Sequence, residues 1–596
     1  MSKKTRLELT WIGKNERPRL EPRILVEDAE LSHHASARHS GADIFDNILI
    51  QGDNLLALKA LEEAYAGRIK CVYIDPPFNT QQAFEHYEDG LEHSLWLSLI
   101  RNRLELIHKL MRDDGTLFVH IDDNELGYII TVLDEIFGRT NRASIVTFKQ
   151  GSATGHKSIN PGVVTTSNFI LIYSKKKLEW KPKRIFTARG ERDKRYGQFI
   201  ENRTARYAKW RFITLTRAFA ASLDLPEKGL KKELGDEFEA KLTEFVHENA
   251  ESVIRLARPD YNAVSAAARL VIDDSKKRPG EVLLLERDEL SDMYFVGGER
   301  ILFYQDKLKV VDGKRVAGEP LTTIWDDILS NNLHNEGGIE FPKGKKPEAL
   351  IKRCLDLASD PGDLVLDSFA GSGTTGAVAH KMGRRWIMVE LGGHAVTHIV
   401  PRMKRINDGI DTSGVTEATG WKGGGGFRFY RLAPSLLEKD RFGNWIIAKE
   451  YNAAMLAEAL CKHLGFVYAP SQNPAEYWRH GHSTETDIIY VTTQSLTYEA
   501  LKKLSEEVGE RQTLLVCCKA FNAKEDSFPN LTVKKIPHAI LSKCEWGRDD
   551  YSLQIANLPE KEDAGDVAEP TADEAVKPKR RNAKTTLPLF DTTGGK

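Results

Sequence analysis

Residues 70–80 read KCVYIDPPFNT, an apolar, β-prone run that ends in an acid, two prolines and an aromatic ring. Because proline cannot continue the hydrogen-bond ladder of a central strand, the strand is predicted to end at Asp75. Asp75 and Phe78 are therefore predicted to lie in a stiff loop at the carboxyl end of a strand. In open α/β sheets this edge is where ligands bind.

The residues of this loop suit one kind of chemistry. The exocyclic amino group of adenine or cytosine is a poor nucleophile, because its lone pair is delocalised into the ring. The Asp75 carboxylate and a backbone carbonyl could accept its two protons, which frees the lone pair to attack a methyl group. Pro76 and Pro77 would fix these acceptors, and Phe78 could stack on a base swung out of its helix. The alternative is an ordinary strand end followed by a tight turn.

Composition bounds the class of protein. With 596 residues the chain is too long for one core, and roughly three or four domains are expected. Lysine and arginine number 85 against 86 acids, so any basic signature for nucleic acid must be local. The six cysteines have no CxxC pair and no metal-ligand spacing, which predicts a reduced, cytoplasmic chain. We find no secretory signal and no run of membrane-spanning length.

Residues 46–149 are predicted to alternate between strands and helices. The stretch at 47–58 reads NILIQGDNLLAL, a strand, a Gly-Asp turn and a helix that Asp53 or Asn54 caps. Alternatively, Asp53 could form a hydrogen bond with a ligand at the end of this strand. Since the Asp75 strand follows after a short helix, the spacing is that of a βαβ unit.

The next elements continue the same pattern. Apolar residues recur at three and four positions over 95–111, which predicts an amphipathic helix. A strand over 115–121 follows, and then three acids that we interpret as helix caps rather than a metal site: Asp122, Asp123 and Glu125. The alternation is half of a doubly wound sheet.

The segment 175–217 is locally basic. Fifteen lysine and arginine residues face four acids there, and aromatic residues are interleaved, among them Tyr196, Phe199, Tyr207, Trp210 and Phe212. Basic and aromatic side chains together are typical of a surface that binds phosphates and contacts bases. The alternative is a solvated surface over a small aromatic core.

A second glycine-rich stretch, at 363–376, reads DLVLDSFAGSGTTG, and the strand WIMVE follows at 386–390. The glycines let a ligand approach the backbone, and Glu390 can take two ribose hydroxyls. This matches GxGxxG with a downstream acid, so a nicotinamide or flavin site is a competitor. Two features argue against a nicotinamide or flavin site. The carboxylate of Asp367 would repel a pyrophosphate but could bind the cationic amino-acid end of a ligand. The chain also has a second sharp strand-end loop at 75–78.

These stretches together resemble amino-directed, S-adenosylmethionine-dependent DNA methyltransferases. DPPF at 75–78 looks like their catalytic motif, and FAGSG at 369–373 looks like their cofactor motif. The order of catalytic loop, long insert and cofactor motif is similar to the permuted β class. That class closes one sheet from two chain segments, with the target recognition domain between them.

Four stretches narrow the resemblance to the modification (Mod) subunit of type III restriction–modification systems. They read QGDN at 51–54, YIDPPFNT at 73–80, FVHIDDNE at 118–125 and DSFAGSGTT at 367–375. The resemblance covers about residues 46–435.

The resemblance implies roles for the catalytic residues. Asp75 and the carbonyl of Pro76 would hold the target amino group, Pro77 would stiffen the loop and Phe78 would stack on the flipped base. Phenylalanine stands where tyrosine is commoner, which keeps the ring and loses the hydroxyl. Aspartate rather than serine at the first position favours adenine N6 over cytosine N4.

The resemblance also implies a cofactor site for S-adenosyl-L-methionine. Its methionine end would be lined by Asp367, Phe369, Gly371 and Gly373. Glu390 would bind the ribose, and the adenosine and carboxylate ends would be bound by Asp53, Asn54 and Lys346. No metal is implied, because the sulfonium already supplies the electrophile.

The predicted fold is a doubly wound, Rossmann-like α/β sheet in permuted order, with an inserted domain. The expected divisions are an N-terminal arm at 1–45, a catalytic half at 46–149, an inserted target recognition domain at 150–320, a cofactor half at 321–435, a C-terminal α/β domain at 436–558 and a disordered tail at 559–596.

The predicted function is methylation of adenine N6 in double-stranded DNA by base flipping, within a restriction–modification or phage-defence system. A helicase–nuclease restriction subunit and a second copy of the chain are candidate partners. Two alternatives stay open: a cytosine-N4 methyltransferase, and a recognition subunit of a nuclease complex without catalytic activity. Binding of the cofactor would separate the last from the others.

Overall fold

The computed structural model describes residues 8–77, 89–151, 162–188, 191–288, 290–311, 313–328, 333–341, 344–524 and 527–552. Phe78 and the predicted tail at 559–596 lie outside these ranges. Within them, no helix has both the length and the apolar character needed to cross a membrane.

The N-terminal segment supplies the first strands of the central sheet and the helices on one of its faces. In chain order the strands are β1 (Leu25–Glu27), β2 (His33–His34), β3 (Asn47–Gln51), β4 (Ile69–Ile74), β5 (Met111–Ile121), β6 (Arg142–Lys149) and β7 (Ser167–Ser174), and the helices are α1 (Asn54–Tyr65), α2 (Asp89–Leu110) and α3 (Leu126–Leu133). The helix predicted over 95–111 is confirmed as part of α2. It ends at Leu110, since Met111 already pairs in β5.

The inserted segment folds into its own two sheets. Its strands are β8 (Phe186–Ala188), β9 (Gln198–Ile200), β10 (Phe212–Thr214), β11 (Val253–Ala257), β12 (Leu283–Leu285), β13 (Met293–Val296), β14 (Glu299–Phe303), β15 (Leu308–Val311) and β16 (Lys314–Pro320), and its helices are α4 (Leu215–Ser222), α5 (Leu230–Leu234), α6 (Phe238–Glu248) and α7 (Ala266–Lys277). The larger sheet has the order β10-β9-β11-β14-β13-β12, and β15, β16 and β8 form the smaller one.

The chain then returns to the central sheet. This segment contains β17 (Ile324–Trp325), α8 (Glu348–Ala358), β18 (Leu364–Asp367), α9 (Thr374–Lys381), β19 (Arg385–Glu390), α10 (Val400–Asn407), α11 (Thr416–Thr419) and β20 (Gly426–Leu432). Helices α1 to α3 pack on one face of the sheet and α8 to α10 on the other, so the central strands are buried on both sides.

Among the described residues the central sheet has eleven strands, in the order β1-β20-β3-β19-β18-β4-β5-β7-β6-β17, with β2 also paired to β20. The strands from β20 through β5 run parallel. This confirms the doubly wound sheet in permuted order, because β18 to β20 enter from beyond the insert. Val365 of β18 lies opposite Cys71 of β4, so the carboxyl ends of these two strands meet.

Two predicted divisions differ from the structure. β7 falls inside the range predicted for the insert, yet it pairs with β5 and β6 in the central sheet. The insert therefore starts after Ser174. The predicted N-terminal arm also contributes β1 and β2, both of which pair antiparallel with β20.

The run of four glycines at 423–426 is a packed part of the catalytic body. Such a run is most often a linker, but this one lies within the range predicted for the cofactor half and leads directly into β20. The amide of Gly424 donates to the carbonyl of Asn407 at 2.7 Å, and its carbonyl binds Nε2 of His380 at 2.9 Å. A Cβ on Gly425 would lie 2.5 Å from the carbonyl oxygen of Ile44. Only glycine allows this approach of three backbone segments.

The C-terminal part is a small α/β domain. It contains β21 (Leu437–Lys439), β22 (Trp445–Ile447), α12 (Ala453–Leu464), β23 (Val467–Tyr468), β24 (Gly481–His482), β25 (Asp487–Val491), β26 (Ser495–Leu496), α13 (Tyr498–Val508), β27 (Thr513–Cys518), β28 (Ala520–Phe521) and β29 (Leu531–Lys535). Its main sheet has the order β23-β24-β25-β27-β29. Ile24 of the predicted arm belongs to its core.

Candidate active site

Asp75 follows β4 directly and carries an incompletely satisfied carboxylate. Its Oδ2 atom lies 2.5 Å from Nζ of Lys346. Its Oδ1 atom is buried and has no hydrogen-bond partner among the residues that the structure describes. Burial raises the pKa of Asp75 above its usual range, and the charge and hydrogen bond of Lys346 oppose that rise. A buried carboxylate oxygen without a hydrogen-bond partner is expected where a bound ligand supplies the donor.

The proline loop after Asp75 is anchored to α2. The indole Nε1 of Trp96, a residue only 1 % exposed, donates a 2.9 Å hydrogen bond to the carbonyl of Pro77. Pro76 is buried and Pro77 is exposed. Phe78, predicted to stack on the target base, lies outside the described residues, so its role stays a prediction.

Asp367 ends β18, the strand beside β4. Its Oδ1 accepts from the amide of Phe369 at 2.9 Å, and its Oδ2 accepts from the hydroxyl of Thr375 at 2.6 Å. Burial raises the pKa of Asp367 to about 7, and the nearby Asp75 adds to the rise. Asp367 thus fixes the turn that follows it, and its predicted contact with the methionine end of the cofactor stays a prediction.

Glu390 and the glycine turn form one unit. The carboxylate of Glu390 accepts from the amide of Gly371 at 2.7 Å and from the amide of Gly392 at 3.0 Å. Gly371 and Gly373 both have left-handed backbones, with φ of +51° and +76°. Burial raises the pKa of Glu390. The acid predicted to bind a ribose therefore lies at the predicted turn.

The three weaker candidates lie in different places. Asp53 caps α1, since its Oδ1 accepts from the amides of Leu55 and Leu56 at 2.9 and 3.1 Å. Asn54 binds the carbonyl of Ser368, next to the glycine turn, at 2.7 Å. Lys346 lies against Asp75, and its predicted contact with an end of the cofactor stays a prediction.

A buried charge network lies behind the glycine turn, and the sequence analysis did not predict it. Glu348 binds Lys381 at 2.8 Å and Arg402 at 2.7 Å, and all three side chains are fully buried. Arg402 also donates to the carbonyl of Ser372 at 3.1 Å. The network therefore holds the glycine turn on its buried side. These partners come from α8, α9 and α10, and no local spacing in the sequence could reveal them.

Comparison with known proteins identifies the family. The family model described as a DNA methylase matches residues 69–401, more than half of the chain. The chain belongs to this DNA methylase family. The match spans both strand-end loops and the insert between them.

Two curated relatives of the methylase are Mod subunits of type III restriction-modification enzymes. This chain is 33% identical to the HindVI Mod subunit of Haemophilus influenzae over 426 residues. The match covers 67% of this chain and 55% of the Haemophilus protein. The chain is 23% identical to the EcoP15I Mod subunit of Escherichia coli over 581 residues, with 84% of each chain covered. The matched region thus spans little more than half of the Haemophilus protein.

A solved DNA modification methylase from Thermus thermophilus, complexed with S-adenosyl-L-methionine, aligns with 64% of this chain and 97% of its own. The sequence identity is 13% and the TM-score is 0.29. This likeness is too low to carry an argument, and the fold of the methylase rests on the sheet described above.

A cleft of about 590 Å³ opens at the ends of β5 and β6 in the methylase. Asp122 and Asp123 line it, together with Asn168. The interpretation of the acids after β5 as caps is wrong for Glu125, whose side chain makes no capping bond to α3. Its carboxylate is buried 2.8 Å from Nδ1 of His93. Among the described residues, no group of three acids, histidines or cysteines could hold a metal ion.

The aromatic residues of the basic segment are structural in this methylase. Tyr196 and Trp210 are buried in two separate small cores of the insert. Arg203 lies 4.4 Å over the Trp210 ring. The alternative of a small aromatic core is therefore correct for these two side chains. The exposed basic residues of the segment include Lys194, Arg195, Arg206, Lys209, Arg211 and Arg217.

Proposed function

We propose that this chain transfers a methyl group from S-adenosyl-L-methionine to N6 of an adenine in duplex DNA. One observation carries the proposal: a proline-locked carboxylate, Asp75, projects at the end of β4 beside the glycine turn that follows β18. Amino-group activation and cofactor binding need these two loops at one sheet edge.

The residues at the turn fit the cofactor. Gly371 has no atom within 4 Å of the position of a Cβ except a carbonyl oxygen at 4.0 Å, so the backbone is open to a ligand. The hydroxyl of Ser368 is buried without a hydrogen-bond partner among the described residues. Asp367, Phe369, Gly373 and Glu390 would hold the bound cofactor. When bound, it supplies an electrophilic methyl group.

The chain's own residues activate the substrate. Asp75 and the carbonyl of Pro76 accept the two protons of the target amino group, which localises the nitrogen lone pair for attack. Asp75 then takes the proton that the methylated nitrogen releases. Lys346 keeps the carboxylate ionised despite its burial, since an adjacent positive charge favours the charged form. The target base must leave the helix to reach this loop.

The proposal also includes a partner protein and membership of a restriction–modification system. The names of the two curated relatives support a Mod subunit of a type III restriction-modification enzyme, and the partner that we propose for it is a helicase–nuclease restriction subunit. Co-expression with a candidate restriction subunit and size-exclusion chromatography test this point. Elution of the two proteins at separate volumes would contradict it.

The activity is tested with labelled S-adenosyl-L-methionine and unmethylated duplex DNA, followed by nucleoside analysis. Label in N6-methyladenine supports the proposal. Label in N4-methylcytosine would keep the mechanism and overturn the assignment of the base. No transfer and no cofactor binding by calorimetry would overturn the proposal in favour of a recognition subunit.

A further inference from the structure

The C-terminal domain reaches back to the catalytic half of the sheet. The Tyr551 side chain is 8 % exposed and belongs to the same core as α1 and α2. The amide of Tyr551 donates a 3.0 Å hydrogen bond to Oδ2 of Asp53, and its carbonyl accepts one of 3.4 Å from Nη2 of Arg103. The Tyr551 amide thus binds the cap of α1, and the Tyr551 carbonyl binds the arginine that pairs with this cap.

Arg103 continues these contacts to the cofactor turn. Its side chain is 3 % exposed and pairs with Asp53 at 3.2 Å, and its Nε also donates to Oδ1 of Asn54. Nδ2 of Asn54 in turn binds the carbonyl of Ser368 at 2.7 Å. Ser368 lies between Asp367 and Phe369, so a continuous series of hydrogen bonds joins the C-terminal segment to the turn.

The segment is also held at its other end. The carbonyl of Arg548 accepts a 3.0 Å bond from Arg23 of the N-terminal arm. The amide of Gly547 donates to the hydroxyl of Ser435 at 2.8 Å, where the C-terminal domain begins. The segment is therefore anchored to the N-terminal arm and to the start of the C-terminal domain as well as to Asp53.

We propose that residues 547–552 form a brace that sets the affinity of the cofactor turn for S-adenosyl-L-methionine, with Arg103 and Asn54 as positioning residues. This rests on the proposed methyltransferase function and adds to it a role for the C-terminal domain. The brace touches no reacting atom. It holds the Ser368 carbonyl, and with it the direction in which the turn leaves β18.

The test measures the Kd for S-adenosyl-L-methionine by calorimetry and the KM values for cofactor and DNA. Tyr551→Pro removes the amide that binds Asp53 and is expected to raise the Kd about tenfold, the effect of losing one hydrogen bond to a charged group. The KM for DNA should not change. Tyr551→Phe keeps the amide and ring, and a stop codon after Ser552 keeps the whole brace, so both controls should bind as the wild type does.

A double-mutant cycle separates the brace from a general loss of stability. Asn54→Ala should raise the Kd to a similar extent. Adding Tyr551→Pro to it should have little further effect, because both residues act on the turn through the hydrogen bond from Asn54 to the Ser368 carbonyl. If Tyr551→Pro does not fold by circular dichroism, Arg103→Gln replaces it in the cycle.

The outcomes are distinct. Unchanged cofactor affinity in folded Tyr551→Pro, or effects that multiply fully in the double variant, would overturn the brace alone. A wild-type chain that binds no S-adenosyl-L-methionine would overturn the proposed function and the brace with it.

Discussion

The Nζ atom of Lys346 lies 2.5 Å from Oδ2 of Asp75, although the two residues come from opposite sides of the insert. The loop before α8 thus places a cation on the carboxylate at the end of β4. Both side chains are largely buried, with 9 % and 21 % exposed. This pairing opposes the effect of burial, which raises the pKa of the carboxylate.

Replacing Lys346 with methionine is expected to lower kcat for methyl transfer at neutral pH, because the buried carboxylate loses the cation that favours its charged form. Burial would then raise the pKa of Asp75 further without opposition. Because Asp75 acts as an acceptor, activity falls as the pH drops through its pKa. The acid limb of the kcat profile should therefore move to higher pH, and Lys346→Arg should leave it in place. An unmoved limb in the methionine variant would contradict the role of Lys346.

Alanine at Gly373 is expected to destabilise the fold more than alanine at Gly371. Both positions have positive φ, which costs alanine about 1 kcal/mol. At Gly373 the new Cβ would also lie 2.9 Å from Cγ2 of Ile399, a fully buried side chain, whereas at Gly371 the nearest atom is 4.0 Å away. We expect about 1–3 kcal/mol of additional loss at Gly373. Equal midpoints in urea unfolding would contradict this.

The stability of the fold should depend on the protonation of Asp367. Its pKa is raised to about 7 in the folded chain, from an ordinary value of 3.8. A raised pKa contributes stability that is complete below the unfolded value and is lost as the pH rises through the folded value. The free energy of unfolding should therefore decline from about pH 4 to about pH 7, by at most about 4 kcal/mol. Asp367→Asn should flatten this decline, and an unchanged pH dependence would contradict it.

Replacing Glu348 with glutamine is expected to lower the free energy of unfolding by about 3–5 kcal/mol, since two buried cations lose their common anion. The control is Asp327→Asn, which breaks the pair with Arg353 at the surface, where the Asp327 side chain is 45% exposed. That change should cost no more than about 1 kcal/mol. Similar losses for both variants in urea unfolding would contradict the importance of the network.

Replacing Arg206 and Lys209 with alanine is expected to weaken DNA binding and leave the cofactor Kd unchanged. Each phosphate contact that is lost should reduce the slope of log K against log salt by about 0.9. Lys502→Ala, on an exposed position of α13, is the control and should leave the slope unchanged. An identical slope in the double variant would show that these two residues do not contact DNA.

The strands around the site could be predicted from the sequence, because their ends are marked locally, and the permuted order was expected from the resemblance to the β class of DNA methyltransferases. Two prolines follow Asp75 and stop β4 at Ile74, and β18 ends at Asp367 before the glycine turn. The glycine turn could also be predicted locally, because glycine readily adopts the positive φ angles found at Gly371 and Gly373. Even the closeness of the two loops follows, since strands of one parallel sheet end at the same edge.

What the sequence could not reveal are contacts between distant segments. Lys346 reaches Asp75 across the insert, and Arg103 joins Asn54 to Tyr551 through long-range packing. The glycines at 423–426 have the composition of a linker, and only the approach of neighbouring backbone gives them a buried position. Such pairings depend on how finished elements pack, which no periodicity or spacing records.

The most direct test of the central claim is methyl transfer to duplex DNA by Asp75→Asn, with cofactor affinity measured on the same preparation. Asparagine keeps the shape of Asp75 and loses its charge. The account predicts a wild-type Kd for S-adenosyl-L-methionine and a fall in kcat of at least about 100-fold, the usual contribution of a positioned acid or base. Asp123→Asn, at the end of the neighbouring strand, is the matched control and should keep most of the activity. A wild-type rate in Asp75→Asn would contradict the claim that this carboxylate activates the target amino group.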